Sequence, residues 1–348
     1  MKLAKLSLAA VMAVGAFSTV NAQSLEDAIK GVDIKGYGYY RYHDASNAEA
    51  YSKIELRAQL TAPVQENVQF VTRFTASNKT YDSLTSGSAT ANVDRLMISY
   101  TGFQNTKVTI GRMYVGSPLD DTAGLGFKVV SSPVKGLTLA AAYFTDNSAV
   151  TNELAAAGVI YSDKMFNGRV WYIDKADEIG NDGASYLFVE AGANVGPVAL
   201  KAQYASADPD AAAAPTASTI RLQATGKIDN FTLRAGYITN DDKAGDVTVD
   251  GSAEGDNDLI YGGIYGLVQN NTADLNTYFG EVKGKFGKFC AKAGYVSYDN
   301  GLYDSQYYGQ VKYDVSKKLS TYVRYGSADP VGAGDDLTLM RFHAEYSF

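Results

Sequence analysis

Cysteine is all but missing from this sequence. Cys290 stands alone among 348 residues, so no internal disulfide can hold the fold. Histidine is nearly as scarce: His43 and His343 are the whole supply, which leaves little from which to build a nucleophile–His hydrolytic site. A basic excess is lacking too. Against 31 Lys and Arg stand 38 Asp and Glu, a net charge of −7, so no domain-wide positive field exists to neutralise nucleic-acid phosphates. Beyond the N-terminus, no stretch approaches the 18 apolar residues of a membrane helix, the longest being Leu137–Phe144 and Leu154–Tyr161. What the chain does have is 26 Tyr and 34 Gly, a composition that argues against a helical bundle.

The first 22 residues read as an export signal. Lys2 and Lys5 precede an apolar run from Leu6 to Val20, and Val20-Asn21-Ala22 places small residues where a signal peptidase cuts. Cleavage after Ala22 is expected, and the alternative, an uncleaved N-terminal anchor, is disfavoured by the shortness of the run. Ser24-Leu-Glu-Asp27 then resembles a capping box ahead of a one- or two-turn helix ending at Gly31. Residues 23–31 are therefore read as a short periplasmic segment and residues 32–348 as the body of the protein.

That body alternates with a period of two. Ile54, Leu56, Ala58 and Leu60 share one face, and Lys53, Glu55, Arg57 and Gln59 the other. Phe231, Leu233, Ala235 and Tyr237 alternate with Thr232, Arg234 and Gly236. Tight breaks fall near Pro63–Asn67, Gly102–Asn105, Pro133–Gly136, Ser162–Phe166, Asn194–Pro197, Lys227–Asn230, Lys285–Gly287 and Asp314–Lys317, with longer connections between them. With both termini on the tight-turn side, this punctuation predicts 18 strands, 16 remaining open. Leu259–Tyr265 also looks like a strand, but an odd count would separate the termini, so it is placed inside a long loop.

A soluble β-sandwich shows the same alternation. Three features favour an all-β transmembrane antiparallel barrel instead. Charges sit on the polar faces of most strands, while the apolar faces carry small residues and Tyr. Tyr and Phe cluster near strand ends, where rings with one wet end suit a membrane interface. Finally, Met340, Phe342, Ala344, Tyr346 and Phe348 line one face to the carboxyl terminus, an ending that resembles the last strand of bacterial outer-membrane barrels.

Several stretches resemble a family. Met1-Lys-Leu-Ala-Lys-Leu-Ser-Leu, Leu25-Glu-Asp-Ala-Ile-Lys-Gly-Val-Asp and the Tyr-rich segment through Tyr42 look like the start of the Campylobacter-type major outer-membrane porins. Ile110-Gly-Arg-Met113, Gly124-Leu-Gly-Phe-Lys-Val-Val and Gly136-Leu-Thr-Leu-Ala-Ala are similar to that family's third-loop region. The likeness covers the N-terminal 45 residues and about 105–145; the chain is shorter than Campylobacter members, so its loops must be trimmed. The resemblance implies a trimeric 18-stranded channel in the bacterial outer membrane, passively admitting ions and small hydrophilic solutes. Its partners would be the lipid bilayer, lipopolysaccharide and two further copies of the chain.

A barrel this wide is not filled by its own side chains, so charges inside it stay solvated. By phase, Arg57, Arg73, Arg95, Arg221, Arg234 and Arg324 face the lumen. The segment Val115–Gly126 carries Asp120 and Asp121; folded inward, these would oppose Arg57, Arg73 and Arg95 across a constriction. The longest connection, Asn240 to Asn271, is acidic. Asp246, Asp250, Asp256 and Asp258 are weak candidates for Ca²⁺, although their spacing is not that of an EF-hand, and a solvated acidic loop is the plainer reading. Either way these acids concentrate cations at the mouth, and modest cation selectivity is expected. No enzyme activity and no other cofactor is expected. An adhesin-like structural barrel and a substrate-specific channel are the alternatives to a general diffusion channel.

Overall fold

A computed structural model describes residues 31–46, 48–81, 88–120, 123–147, 153–176, 183–210, 215–243, 245–249, 272–332 and 334–348. The expected signal, the whole segment before Gly31, Asp121, Asp250, Asp256, Asp258 and the stretch Leu259–Tyr265 lie outside these residues.

Eighteen strands follow one another: β1 (Asp33–Ala45), β2 (Ala48–Gln65), β3 (Val68–Tyr81), β4 (Ser88–Phe103), β5 (Thr106–Tyr114), β6 (Ala123–Val134), β7 (Leu137–Asn147), β8 (Leu154–Ser162), β9 (Phe166–Lys175), β10 (Ala184–Val195), β11 (Val198–Pro209), β12 (Ala217–Ile228), β13 (Phe231–Asn240), β14 (Asn276–Phe286), β15 (Phe289–Asp299), β16 (Tyr303–Asp314), β17 (Leu319–Pro330) and β18 (Leu337–Ser347). Each pairs antiparallel with its chain neighbours, and β1 also pairs with β18, so the sheet closes on itself. This is the expected all-β barrel with the expected strand number.

The tight turns fall where the sequence punctuates them. Asn67, Asn105 and Asp229 take up φ of 63°, 52° and 50°, the left-handed conformation that Asn and Asp tolerate through their short polar side chains. The β8–β9 turn uses Asp163, whose Oδ1 accepts the amide hydrogens of Met165 and Phe166, both at 2.7 Å, while Tyr161 donates to Oδ2 at 2.8 Å. At the seam, Gly36 and Phe348 exchange backbone hydrogen bonds of 3.3 and 3.0 Å. A Cβ at Gly36 would run into the Arg57 carbonyl and the Phe348 ring.

Alternation divides the residues between two faces. Ile54, Leu56, Ile98 and Ile110 are at least half exposed, as only the outside of a closed sheet allows for such side chains. Outward rings form two belts. Phe103, Phe166, Phe231 and Phe289 lie beside the tight turns, and Tyr204, Tyr278, Tyr295, Tyr307 and Tyr325 lie toward the other rim. Arg112 departs from this pattern. It pairs with the outward Leu96 and Leu125 in the neighbouring strands, and among the described residues no hydrogen bond or ion pair reaches it.

Candidate functional site: a loop-narrowed lumen

The interior is built from two unlike walls. On β7 to β12 the inward residues of the upper half are apolar: Phe144, Leu154, Ile173 and Phe188 are fully buried, beside Trp171 and Tyr186. An apolar patch inside an aqueous barrel is stable only when something covers it. The cover is the connection from β5 to β6. At Gly111 the backbone takes φ +124°, where a Cβ would strike the backbone of Leu96 and Met97, and the chain then leaves the wall after Tyr114. The Lys128 ammonium holds the point of departure, donating to the carbonyls of Tyr114 at 2.7 Å and Val115 at 3.2 Å. Val115 and Leu119 are buried in the apolar cluster. The loop is pinched by a bridge between Ser117 and Asp120.

A second segment joins the first. Val247 and Val249, from the connection between β13 and β14, belong to the same cluster, and the Val249 amide donates to the Leu119 carbonyl at 2.8 Å. Asp246 shapes this segment: its Oδ1 accepts from the Thr248 amide at 2.9 Å and the Thr248 hydroxyl at 2.6 Å.

The remaining inner wall is charged and predominantly basic. Arg73 bonds Asp94 through Nε at 2.6 Å and the Tyr114 hydroxyl through Nη2 at 2.6 Å. Asp94 reaches it because β4 bulges there: Arg73 pairs with Arg95 and Phe74 with Val93, so Asp94 is the extra residue and both it and Arg95 turn inward. Arg95 lies over the Tyr114 ring, 4.7 Å from its centroid, and donates to Gln59 at 3.1 Å. The Arg57 guanidinium sits 3.6 Å from Glu55, which Lys53 also meets at 3.0 Å. Glu190 is shared in the same way by Arg169 at 2.9 Å and Lys201 at 3.6 Å. Glu281 is shared by Arg234 and Lys292, each at 3.4 Å, and accepts from the Tyr308 hydroxyl. Arg221 bonds Gln223 at 2.6 Å over the Phe279 ring, and Arg324 bonds Gln310 at 2.8 Å between the rings of Tyr308 and Tyr322. His343 packs against Tyr39 and Tyr322 and accepts from Arg41 Nε at 3.4 Å.

The six arginines singled out in the sequence thus all lie on the inner face. Arg73 and Arg95 come together at Tyr114, with Arg57 in the same sector, while Arg221 and Arg234 flank Phe279. Asp120 stands in the inward loop, bridged to Ser117 and 3% exposed. Of the acidic metal candidates, only Asp246 is described, and no group of three or more Asp, Glu, His or Cys side chains suited to a metal occurs among the described residues. Sequence reasoning missed Lys128, Tyr114, Asp94 and the shared carboxylates Glu190 and Glu281. It also missed the apolar inner patch, although a signal for it was present. Leu137–Phe144 and Leu154–Tyr161, the longest apolar runs, are apolar on both faces, as a strand covered inside and lipid-facing outside must be.

A closed 18-stranded barrel with an apolar exterior, aromatic belts and a charged interior narrowed by an inward loop is an outer-membrane channel. Residues 1–156 of the chain match the family model described as Campylobacter major outer membrane protein. Its place is the bacterial outer membrane. No curated protein sequence matches the chain. In fold it is similar to Pseudomonas aeruginosa OpdK, solved with vanillate (TM-score 0.72, 15% identity, covering 92% of this chain and 99% of that one). It is likewise similar to P. aeruginosa OccK3 (OpdO), with TM-score 0.73, 14% identity and 93% and 97% coverage. A third likeness is to OccD3 (OpdP) of the same organism, with TM-score 0.70, 14% identity and 92% and 91% coverage.

Proposed function

We propose that the protein is a general diffusion porin, exported by a cleaved signal and assembled as a homotrimer among lipid and lipopolysaccharide, that lets ions and small hydrophilic solutes pass without consuming energy. The observation that carries this reading is the two-walled lumen: the inward loop packs on the apolar side, and the charged side carries the basic residues with their shared carboxylates. Ion preference follows from the sum of two opposing contributions. The expected cation preference rests on acids of the 241–258 connection. Along the inner wall the described charges favour anions, because Glu55, Glu190 and Glu281 each serve two bases. Charges inside the narrow section act at shorter range and in lower dielectric than charges at the mouth, so the wall dominates. The channel is therefore weakly anion-preferring.

A second reading, a channel specific for small carboxylates, is favoured by the guanidinium–tyrosine pairs at Arg73, Arg95 and Arg324 and by the vanillate bound to OpdK, itself an aromatic carboxylate. Single-channel recording in a KCl gradient, with liposome swelling over a series of neutral and anionic solutes, separates these readings. A channel with size-graded swelling and a small reversal potential of anionic sign supports general diffusion, and saturable swelling confined to carboxylates supports the specific channel. A reversal potential of cationic sign overturns the wall-dominated selectivity, and absence of conductance overturns the porin reading as a whole.

A further inference from the structure

We infer that residues 245–249 are a latch that fixes the position of the constriction loop, so that a connection more than a hundred residues downstream sets the aperture of the channel. The inference rests on the diffusion-channel reading and adds to it the residues that hold the narrow section in place. At its start the inward loop is tied to the wall it comes from by the Lys128 ammonium on the carbonyls of Tyr114 and Val115. Its tip is secured in the apolar cluster, where Leu119 is fully buried. Phe144, Leu154 and Ile173 of the barrel and Val247 and Val249 of the downstream connection belong to the same buried cluster as Leu119. The Val249 amide donates to the Leu119 carbonyl at 2.8 Å, which satisfies a backbone acceptor that would otherwise be buried against apolar side chains.

Asp246 makes the latch rigid. By accepting both the amide and the hydroxyl of Thr248, it bends the segment so that Val247 and Val249 point into the cluster together. Asp246 therefore acts here as a turn-forming residue, and as a positioning residue for the constriction. If the latch is released, the loop keeps its Lys128 hinge and loses its tip contact. The expected result is a wider and less steady aperture in an unchanged barrel.

The test uses the full-length purified protein. Asp246→Ala dissolves the turn, and Val249→Pro removes the donated hydrogen. Both variants are expected to raise single-channel conductance, to add open-state noise and to shift the liposome-swelling limit to larger solutes. Lys243→Gln, on the same connection but outside the latch, is expected to leave all three unchanged. A Leu119→Cys, Val249→Cys double variant is expected to form a disulfide on mild oxidation and then to keep a steady conductance no greater than that of the parent. A parent protein that conducts, with Asp246→Ala and Val249→Pro variants of the same conductance and size limit, would overturn the latch and leave the channel reading intact. So would failure of the double variant to cross-link. A parent protein that does not conduct would instead overturn the channel reading.

Discussion

Carboxylates are the scarce component of the inner wall, and the wall is organised around them. Glu281 separates Arg234 from Lys292, and both would repel each other without it. Glu281→Gln is expected to cost about 1–3 kcal/mol in urea unfolding, since charge-assisted bonds are lost and the partly buried bases remain, and to move the reversal potential further toward anions. Asp163 gives a residue-scale pH prediction outside the membrane. The Phe166 amide, then the Tyr161 hydroxyl and the Met165 amide, hold its carboxyl below the usual aspartate range. A depressed folded value means the turn is supported above the unfolded value and loses that support as pH falls through the folded one. A carbon-detected NMR titration should therefore place the Asp163 midpoint below about 3.9; a midpoint at or above that value would contradict the hydrogen-bonded turn. Arg112 is the residue that fits its surroundings least. Between Leu96 and Leu125 on the outer face, it costs ~1–3 kcal/mol if lipid covers it. Arg112→Leu should raise the unfolding free energy in vesicles by that amount, and no gain would place the residue against protein instead of lipid.

At the scale of elements, strands and turns were legible because their causes are local. A period of two and an Asn, Asp or Gly at each reversal need no knowledge of neighbours, which is why Glu66-Asn67 and Asp229-Asn230 stand where expected. The phase of each strand followed from the same pattern, so the arginines of the inner face could be named. Their partners could not. Glu281 meets Arg234 through the β13–β14 register, which a long intervening connection hides from the sequence. Asp94 meets Arg73 through a bulge that breaks the alternation. The inward loop was foreseen from its position, but its anchoring on an apolar wall was not, because a run such as Leu154–Tyr161 reads equally as a strand buried on both faces of a soluble protein. Loop and barrel are also separable energetically. Leu119→Ala should remove about 2–5 kcal/mol of loop docking while leaving the global urea midpoint nearly unchanged, since the loop can detach without opening the sheet. A large shift in that midpoint would mean that the loop supports the wall itself.

For the whole molecule, the governing fact is closure between the first strand and the last. Tyr37 pairs with Ser347 and Ala45 with Leu339, so the seam joins residues that are synthesised at opposite ends of the chain. Until β18 arrives, β1 and β17 are both open edges, ready to pair with any other extended chain. Loop-closure entropy must be met across nearly the full length before the seam's hydrogen bonds form, and such topologies assemble slowly. Removing residues 346–348 takes away the Phe348 bonds and the ring that covers Gly36. The shortened chain should remain in a protease-sensitive, heat-unmodified form on gels, and normal folding of it would show that the seam can form without its last residues. The same geometry makes assembly a matter of timing. The intermediate is at its most vulnerable one strand short of closure, and whatever escorts this protein across the periplasm must keep β1 and β17 from pairing elsewhere until β18 is delivered.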